Sequence, residues 1–376
     1  MLTKLYHIVI SSVLFILLNT HFANAQYNTL WIPDSLSGTT FNLTLQDTFK
    51  QFLPGQQTIT EAINGNWWGP TLFFNKGDTV HLNVINHLQD SATIHWHGIH
   101  LPAMMDGGPH QPIAPMTTWS PYYKVMNKAA TYWYHPHLHM MTEEQVIRGM
   151  GGLIIVRDSI ESALNLPRTY GVDDIPLVLS DRRFDTSATN LNQLTMAHLG
   201  DTMMVNGTLY PQYNVPAQVV RFRILNGAME RGYKFGFNDS TAFSVITTDG
   251  GLLNAPINIT AKRFLIAPGE RVEILVNLSG RQGQSLDLIA YNSTLPSDVA
   301  GASPGTGIFH NLLGGRDFLI LHLNVVGQTA NPCIMIPSTL TTNTFWSAAN
   351  ANVTRHIKFT DAPDSQIGRA SCRERV

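Results

Sequence analysis

Residues 77–86 read GDTVHLNVIN, and the alternation in that stretch decides the fold class. Successive side chains of an extended strand point to opposite faces, so Val80, Leu82 and Val84 fall on one face and His81 and Asn83 on the other. GGLIIVRD (151–158), AQVVRFRILN (217–226), ERVEILVNLS (270–279) and DFLILHLNVV (317–326) carry the same period-two signal. The joints NKGD, APGE and LLGGRD have the chemistry of turns. TEEQVIRGM (142–150) is the one persuasive short helix. Short strands divided by Gly- and Pro-bearing turns predict an all-β chain of packed sandwiches.

A loose internal repeat points to a tandem array. GPTLFFNKGDTVHLNVIN ends at Asn86 and NGTLYPQYNVPAQVVRFRILN ends at Asn226; each runs from Thr-Leu through a turn into an alternating strand that stops at Asn. One sandwich is expected over 26–160 and a second over 161–330. In 331–366, NPCIMIPSTLTTNTFW reads as a linker and ANVTRHIKFTDAP as the first strand of a third domain, which the chain only begins. The closing IGRASCRERV (367–376) loses all apolar pattern and resembles translated library-adapter sequence, so it is read as a non-native tail.

With 44% hydrophobic and 13% charged residues, the chain has the composition of a well-packed globular protein. A net charge of −2 leaves no basic excess for phosphates, which argues against nucleic acid as a partner. Residues 1–25 carry Lys4, an apolar run from Ile8 to Leu18 and the small-residue triplet ANA at 23–25. That order predicts a secretory signal cut after Ala25 and an exported, periplasmic product. The run is too short to span hydrocarbon comfortably, so no membrane span is expected in the mature chain. Cys333 and Cys372 are the only cysteines, too few for a disulfide scaffold and wrongly spaced for zinc.

The chemistry sits in IHWHGIH (94–100) and YWYHPHLH (132–139). On strands, His95 and His97 project to one side, as do His135 and His137, so two neighbouring strands would gather four imidazoles. Imidazole suits copper, zinc and iron, and the lack of a nearby carboxylate ligand favours copper. HPHLH offers two overlapping frames, because His139 also alternates with His137.

HWHG (95–98) and YWYHPH (132–137) resemble the first two copper motifs of the multicopper oxidases, the laccase and bilirubin oxidase superfamily, with periplasmic cuprous and laccase-like oxidases nearest. GPTLFFNKGDTVHLNVIN, MDGGP (105–109), RGMGGLIIV, RFRILNGA and APGERVEILV resemble further signatures of the family in the right order, over about 60–330. The resemblance implies tandem cupredoxin-like Greek-key sandwiches and a copper-dependent oxidoreductase. Such an enzyme couples one-electron oxidation of phenolics, cuprous ion or similar reductants to four-electron reduction of dioxygen to water. It further implies that His95 ligates a type 2 copper and that His97, His135 and His137 serve the type 3 pair. The aromatic pair before the second motif favours the 135/137 frame. Asp106 is implied as the carboxylate that orients a water or relays protons, although DGG is also ordinary turn chemistry. After residue 140 the chain has neither the family's HPxHLH-like motif nor its HCH motif, so half of the trinuclear ligands and the type 1 site are missing from it. The full-length product is therefore read as an oxidase and this chain alone as inactive. The competing reading is a non-catalytic copper-binding or cell-envelope interaction protein of the same fold.

Overall fold

A computed structural model describes residues 27–191, 198–260, 263–307 and 310–354. The expected signal (1–25), the tail (367–376) and most of the strand expected from Ala351 lie outside the described residues. One unit reaches Thr341; in the second, residues 342–354 contain a single 3-10 turn, Ala348–Asn350, and no strand.

The alternating segments are strands. They form at Thr79–Asn86, Gly152–Arg157, Val219–Asn226, Arg271–Asn277 and Asp317–Val326. Four sheets result. Two come from the first part of the chain. One is ordered Ser35–Ser37, Thr71–Asn75, Gly152–Arg157, Ala130–His135, His95–His97. The other is ordered Thr58–Ile63, Thr40–Lys50, Thr79–Asn86, Thr118–Trp119. They close on one core: Phe41, Leu43, Val80, Leu82 and Val84 from one sheet meet Leu72, Trp96, Tyr134 and Ile154 from the other. Thr40–Lys50 pairs directly and in parallel with Thr79–Asn86 although the strands Thr58–Ile63 and Thr71–Asn75 lie between them in the chain, so the connections cross over rather than meander.

A seven-stranded and a six-stranded sheet make the second sandwich, with Leu177, Phe222, Ile224 and Ile274 packed against Phe235, Leu288, Ile320 and Leu323. The strand Asn28–Thr29 joins the six-stranded sheet beside Pro211–Pro216, and Leu30 enters that core, so the first described residues lie on the second sandwich, ahead of those that build the first.

The simple alternation holds for Thr79–Asn86 but not for Val219–Asn226, which is buried on both faces. Its outer face, which the sequence pattern would give to solvent, abuts the first sandwich. There Arg221 and Arg223 are each 1% exposed and fully paired. Arg223 holds Asp174 in a two-point fork at 2.6 and 2.9 Å and Glu273 at 2.7 Å; Arg221 reaches Glu161 at 2.8 Å and Glu273 at 2.9 Å. Thr131 of the first sandwich donates to Glu273 at 2.6 Å, so the charge network spans the seam. An apolar patch accompanies it, with Trp67, Trp68, Trp133 and Leu153 on one side and Val178, Met204, Leu209 and Leu225 on the other.

The expected helix spans Thr142–Arg148, with Glu143 and Glu144 in its first turn, Arg148 in its last, and Gly149 at φ +119° closing it. Buried Arg182 donates to the carbonyls of Val146 and Ile147 at 3.0 and 2.8 Å, which pins this helix to the second sandwich. A second short helix, Ser159–Ala163, escapes the sequence reading; its signal is Asp158, whose side chain accepts from the Glu161 amide as an N-cap.

Candidate metal centre

His95–His97 is a three-residue strand paired antiparallel to Ala130–His135, with His95 opposite His135, Trp96 opposite Tyr134 and His97 opposite Trp133. Partners directly across a ladder share a face. One face therefore carries His95, His97, Trp133 and His135, and the other sends Trp96 and Tyr134, both 0% exposed, into the core. Trp96 and Tyr134 thus fix the strand register that gathers the imidazoles.

One ligand nitrogen from each of His95, His97 and His135 lies within 4.8 Å of the other two. His97 Nδ1 is 3.1 Å from His135 Nε2. The His137 ring follows at the strand's end, 5.3 Å from His95 and 5.8 Å from His135, outside the tight group of three. Its amide donates to Thr93 Oγ1 at 2.6 Å, which holds the turn. His139 is exposed and outside the group, as is Met140; Met104, 75% exposed, faces solvent too.

The rings of His95 and His135 are each oriented by a neighbour. His95 Nδ1 lies 3.0 Å from the Asp106 carbonyl and 3.3 Å from its carboxylate, and His135 Nδ1 lies 2.7 Å from the Pro136 carbonyl. A ring that donates through Nδ1 presents Nε2 as a lone-pair donor, the arrangement that metal-binding histidines use. Asp106 owes its position to Gly107: at φ +72°, a Cβ there would sit 1.7 Å from the Ile94 carbonyl oxygen. No other residue lets the loop lie so close to the histidine strand.

Trp133 stacks on His135 at 4.0 Å and lies 5.0 Å from His97. From the second sandwich, Arg271 donates to the Thr131 carbonyl at 3.3 Å and lies over the Tyr132 ring. A Cβ on Gly98 would meet the Arg271 guanidinium at 3.0 Å, which accounts for the glycine of HWHG. Arg271 and Thr93 are the supports that the sequence reading did not single out; the signal for Arg271 was its place in APGERVEILV.

Burial pushes His97 down to about 3, with the Arg271 charge and the neighbouring His95 and His137 adding to the effect. Burial likewise holds His135 well below its ordinary value and lowers His137. These three imidazoles are therefore neutral at pH 7, the state in which imidazole can bind a metal. A set of neutral nitrogens, with the one nearby carboxylate occupied behind His95, fits copper among the metals imidazole serves. Cys333 takes no part: its thiol is buried among Leu166, Val219 and Leu340 and faces the carbonyls of Asn165 and Met335 at 3.6 Å. Cys372 lies outside the described residues.

Two family models, each described as multicopper oxidase, match residues 45–161 and 177–297. The chain is 34% identical over 257 residues to the multicopper oxidase mco of Staphylococcus epidermidis, covering 68% of this chain and 57% of that protein. It is 36% identical over 262 residues to the cell division protein FtsP of Escherichia coli K12, covering 68% and 55%. The chain thus spans about half the length of these curated relatives. Among solved structures it superposes on the laccase-like multicopper oxidase CueO of an Ochrobactrum species with a TM-score of 0.75 at 32% identity, covering 85% of this chain and 69% of that one. McoA of Aquifex aeolicus gives 0.75 at 31%, covering 88% and 71%.

Proposed function

Because the chain belongs to the multicopper oxidase family, we propose that it forms one wall of a trinuclear copper site in an oxidase that couples oxidation of a small reductant to reduction of dioxygen to water. The observation that carries this is the convergence of His95, His97 and His135 on one face of the paired strands, with His137 beside them. In this reading His95 serves the type 2 copper and His97, His135 and His137 the type 3 pair. Copper held there supplies one-electron redox chemistry and a place for dioxygen.

The chain's own groups have defined tasks. Asp106 contacts His95 Nδ1 through its carbonyl and carboxylate, and in this reading its partly exposed carboxylate orients a water and passes a proton inward. Trp133 covers the inner side of His97 and His135 and keeps water from their rings. Arg271 braces the strand from the second sandwich and discourages protonation of His97. The half-set of imidazoles leaves coordination positions open, and this chain has no HCH motif after residue 140 to serve as a type 1 site. We therefore read the chain alone as inactive, the reductant as a phenolic, cuprous ion or similar, and export by the 1–25 segment as its route to the periplasm. The domain division 26–160, 161–330 and a third domain beginning in 331–366 belongs to the same proposal.

The similarity to the cell division protein FtsP favours a second reading, which we take as a non-catalytic cell-envelope interaction protein of the same fold with a role in cell division. Copper titration of the purified chain separates the two. The oxidase reading expects copper uptake that His97→Ala and His135→Ala abolish and His139→Ala leaves unchanged. Absence of uptake supports the FtsP-like reading. Robust phenol oxidation with a blue absorption band by this chain alone would overturn the inactive-fragment assignment.

A further inference from the structure

At the seam between the sandwiches, two cavities of about 560 and 750 Å3 share Trp31 and Lys50 in their walls. None of the metal-centre histidines lines either one. Trp31 comes from the segment docked on the second sandwich, its amide donating to Thr208 Oγ1 at 3.1 Å. Lys50 ends the strand Thr40–Lys50 of the first sandwich, and Phe52 follows it. The Lys50 ammonium lies 5.4 Å from the Trp31 ring centre and 5.6 Å from that of Phe52. Phe52 is held edge-on against Trp67 at 4.9 Å and Phe184 at 5.5 Å, so its ring is a fixed surface.

The chemistry of this groove is specific. Among the described residues no carboxylate comes within 4.0 Å of Lys50, and burial alone lowers its proton affinity. A partly desolvated cation without a counter-ion favours an incoming anion. The aromatic surfaces beside it offer stacking to a flat apolar body. The volumes lie within the roughly 300–1,000 Å3 typical of small-molecule sites, which also favour domain seams.

We propose that the groove binds a small aromatic acid, its carboxylate paired with Lys50 and its ring laid against Trp31 and Phe52. The carboxylate replaces the missing counter-ion, and the ring displaces water from the two aromatic faces. Calorimetric titration of the full chain with 4-hydroxybenzoate tests this. Saturable binding is expected, at least about tenfold weaker for the neutral 4-hydroxybenzamide and for the non-aromatic cyclohexanecarboxylate. Lys50→Gln should weaken 4-hydroxybenzoate to the level of the amide while thermal unfolding is unchanged, and Lys50→Arg should retain binding. His97→Ala should leave the affinity as it is, so a failed copper assignment and a failed groove give different results. Absence of saturable binding, equal affinity for the amide, or an unaffected Lys50→Gln variant would each overturn the proposal.

Discussion

His95 and His97 sit two residues apart, and their chemistry diverges because different groups surround their rings. Asp106 takes the Nδ1 side of His95, whereas His97 is walled by Trp133 and by Arg271. Replacing Asp106 with Ala removes the group that orients His95. Copper affinity, measured by competition with a chelator, should fall about 10- to 100-fold, with the fold intact by circular dichroism. The buried imidazoles also set an acid limit. His97 falls from an ordinary 6.5 to about 3 and His135 shifts in the same direction. Below about pH 6.5 the unfolded chain takes up protons that these buried rings refuse, so stability declines as the pH drops from 6.5 towards 3 and is untouched by them above 6.5. Urea unfolding of the metal-free chain at pH 7, 5 and 4 should show this loss, of the order of a few kcal/mol. A His97→Asn variant should show a shallower decline, and equal slopes would refute the assignment.

Among the elements, the short strand His95–His97 is too small to hold itself. It is fixed on one edge by the ladder to Ala130–His135 and at its end by the loop that carries Asp106, where the Trp96 amide reaches the Asp106 carbonyl at 3.4 Å. Gly107 makes the second contact possible. Gly107→Ala puts a methyl group into the Ile94 carbonyl and forces a positive φ on a residue with a Cβ. A loss of about 2–4 kcal/mol is expected. Copper uptake should weaken with it, because the loop that orients His95 must retreat. A Gly55→Ala control, at positive φ but with nothing near its Cβ, should cost less and spare the metal centre. Equal effects of the two substitutions on copper uptake would refute the close-approach argument.

For the whole molecule, the ion network at the seam joins the sandwiches. Glu273 is fully buried and binds both Arg221 and Arg223 while accepting from Thr131. Glu273→Ala takes one buried carboxylate partner from each of two guanidinium groups, leaving Arg223 with Asp174 and Arg221 with Glu161, and should cost about 3–5 kcal/mol in chemical denaturation, far more than a surface pair. Thr131→Val removes one neutral hydroxyl, which donates to Glu273 and accepts from Arg223, and should cost about 1–2 kcal/mol. If both variants unfold alike, the network does not weld the seam. The same seam shows why part of the architecture was hidden in the sequence. Period-two alternation marked Val219–Asn226 as a strand but left open that the face carrying Arg221 and Arg223 is covered, because a strand covered by a second sandwich looks the same locally as one covered by water.

The sequence by itself determined the all-β class, five of the long strands and the Thr142–Arg148 helix, and it singled out four histidines as candidates, because side-chain alternation and motif spacing are local properties of an extended chain. It could not rank the imidazoles. Only the tertiary structure drew His95, His97 and His135 into one group, left His137 at its border and turned His139 to solvent, because that outcome depends on the register between strands far apart in the chain. Arg271, the buried charges of the seam and the Lys50 groove likewise exist only where two sandwiches meet. Each joins residues that no spacing rule connects, and the packing of one sheet against another decides whether such residues see water or each other.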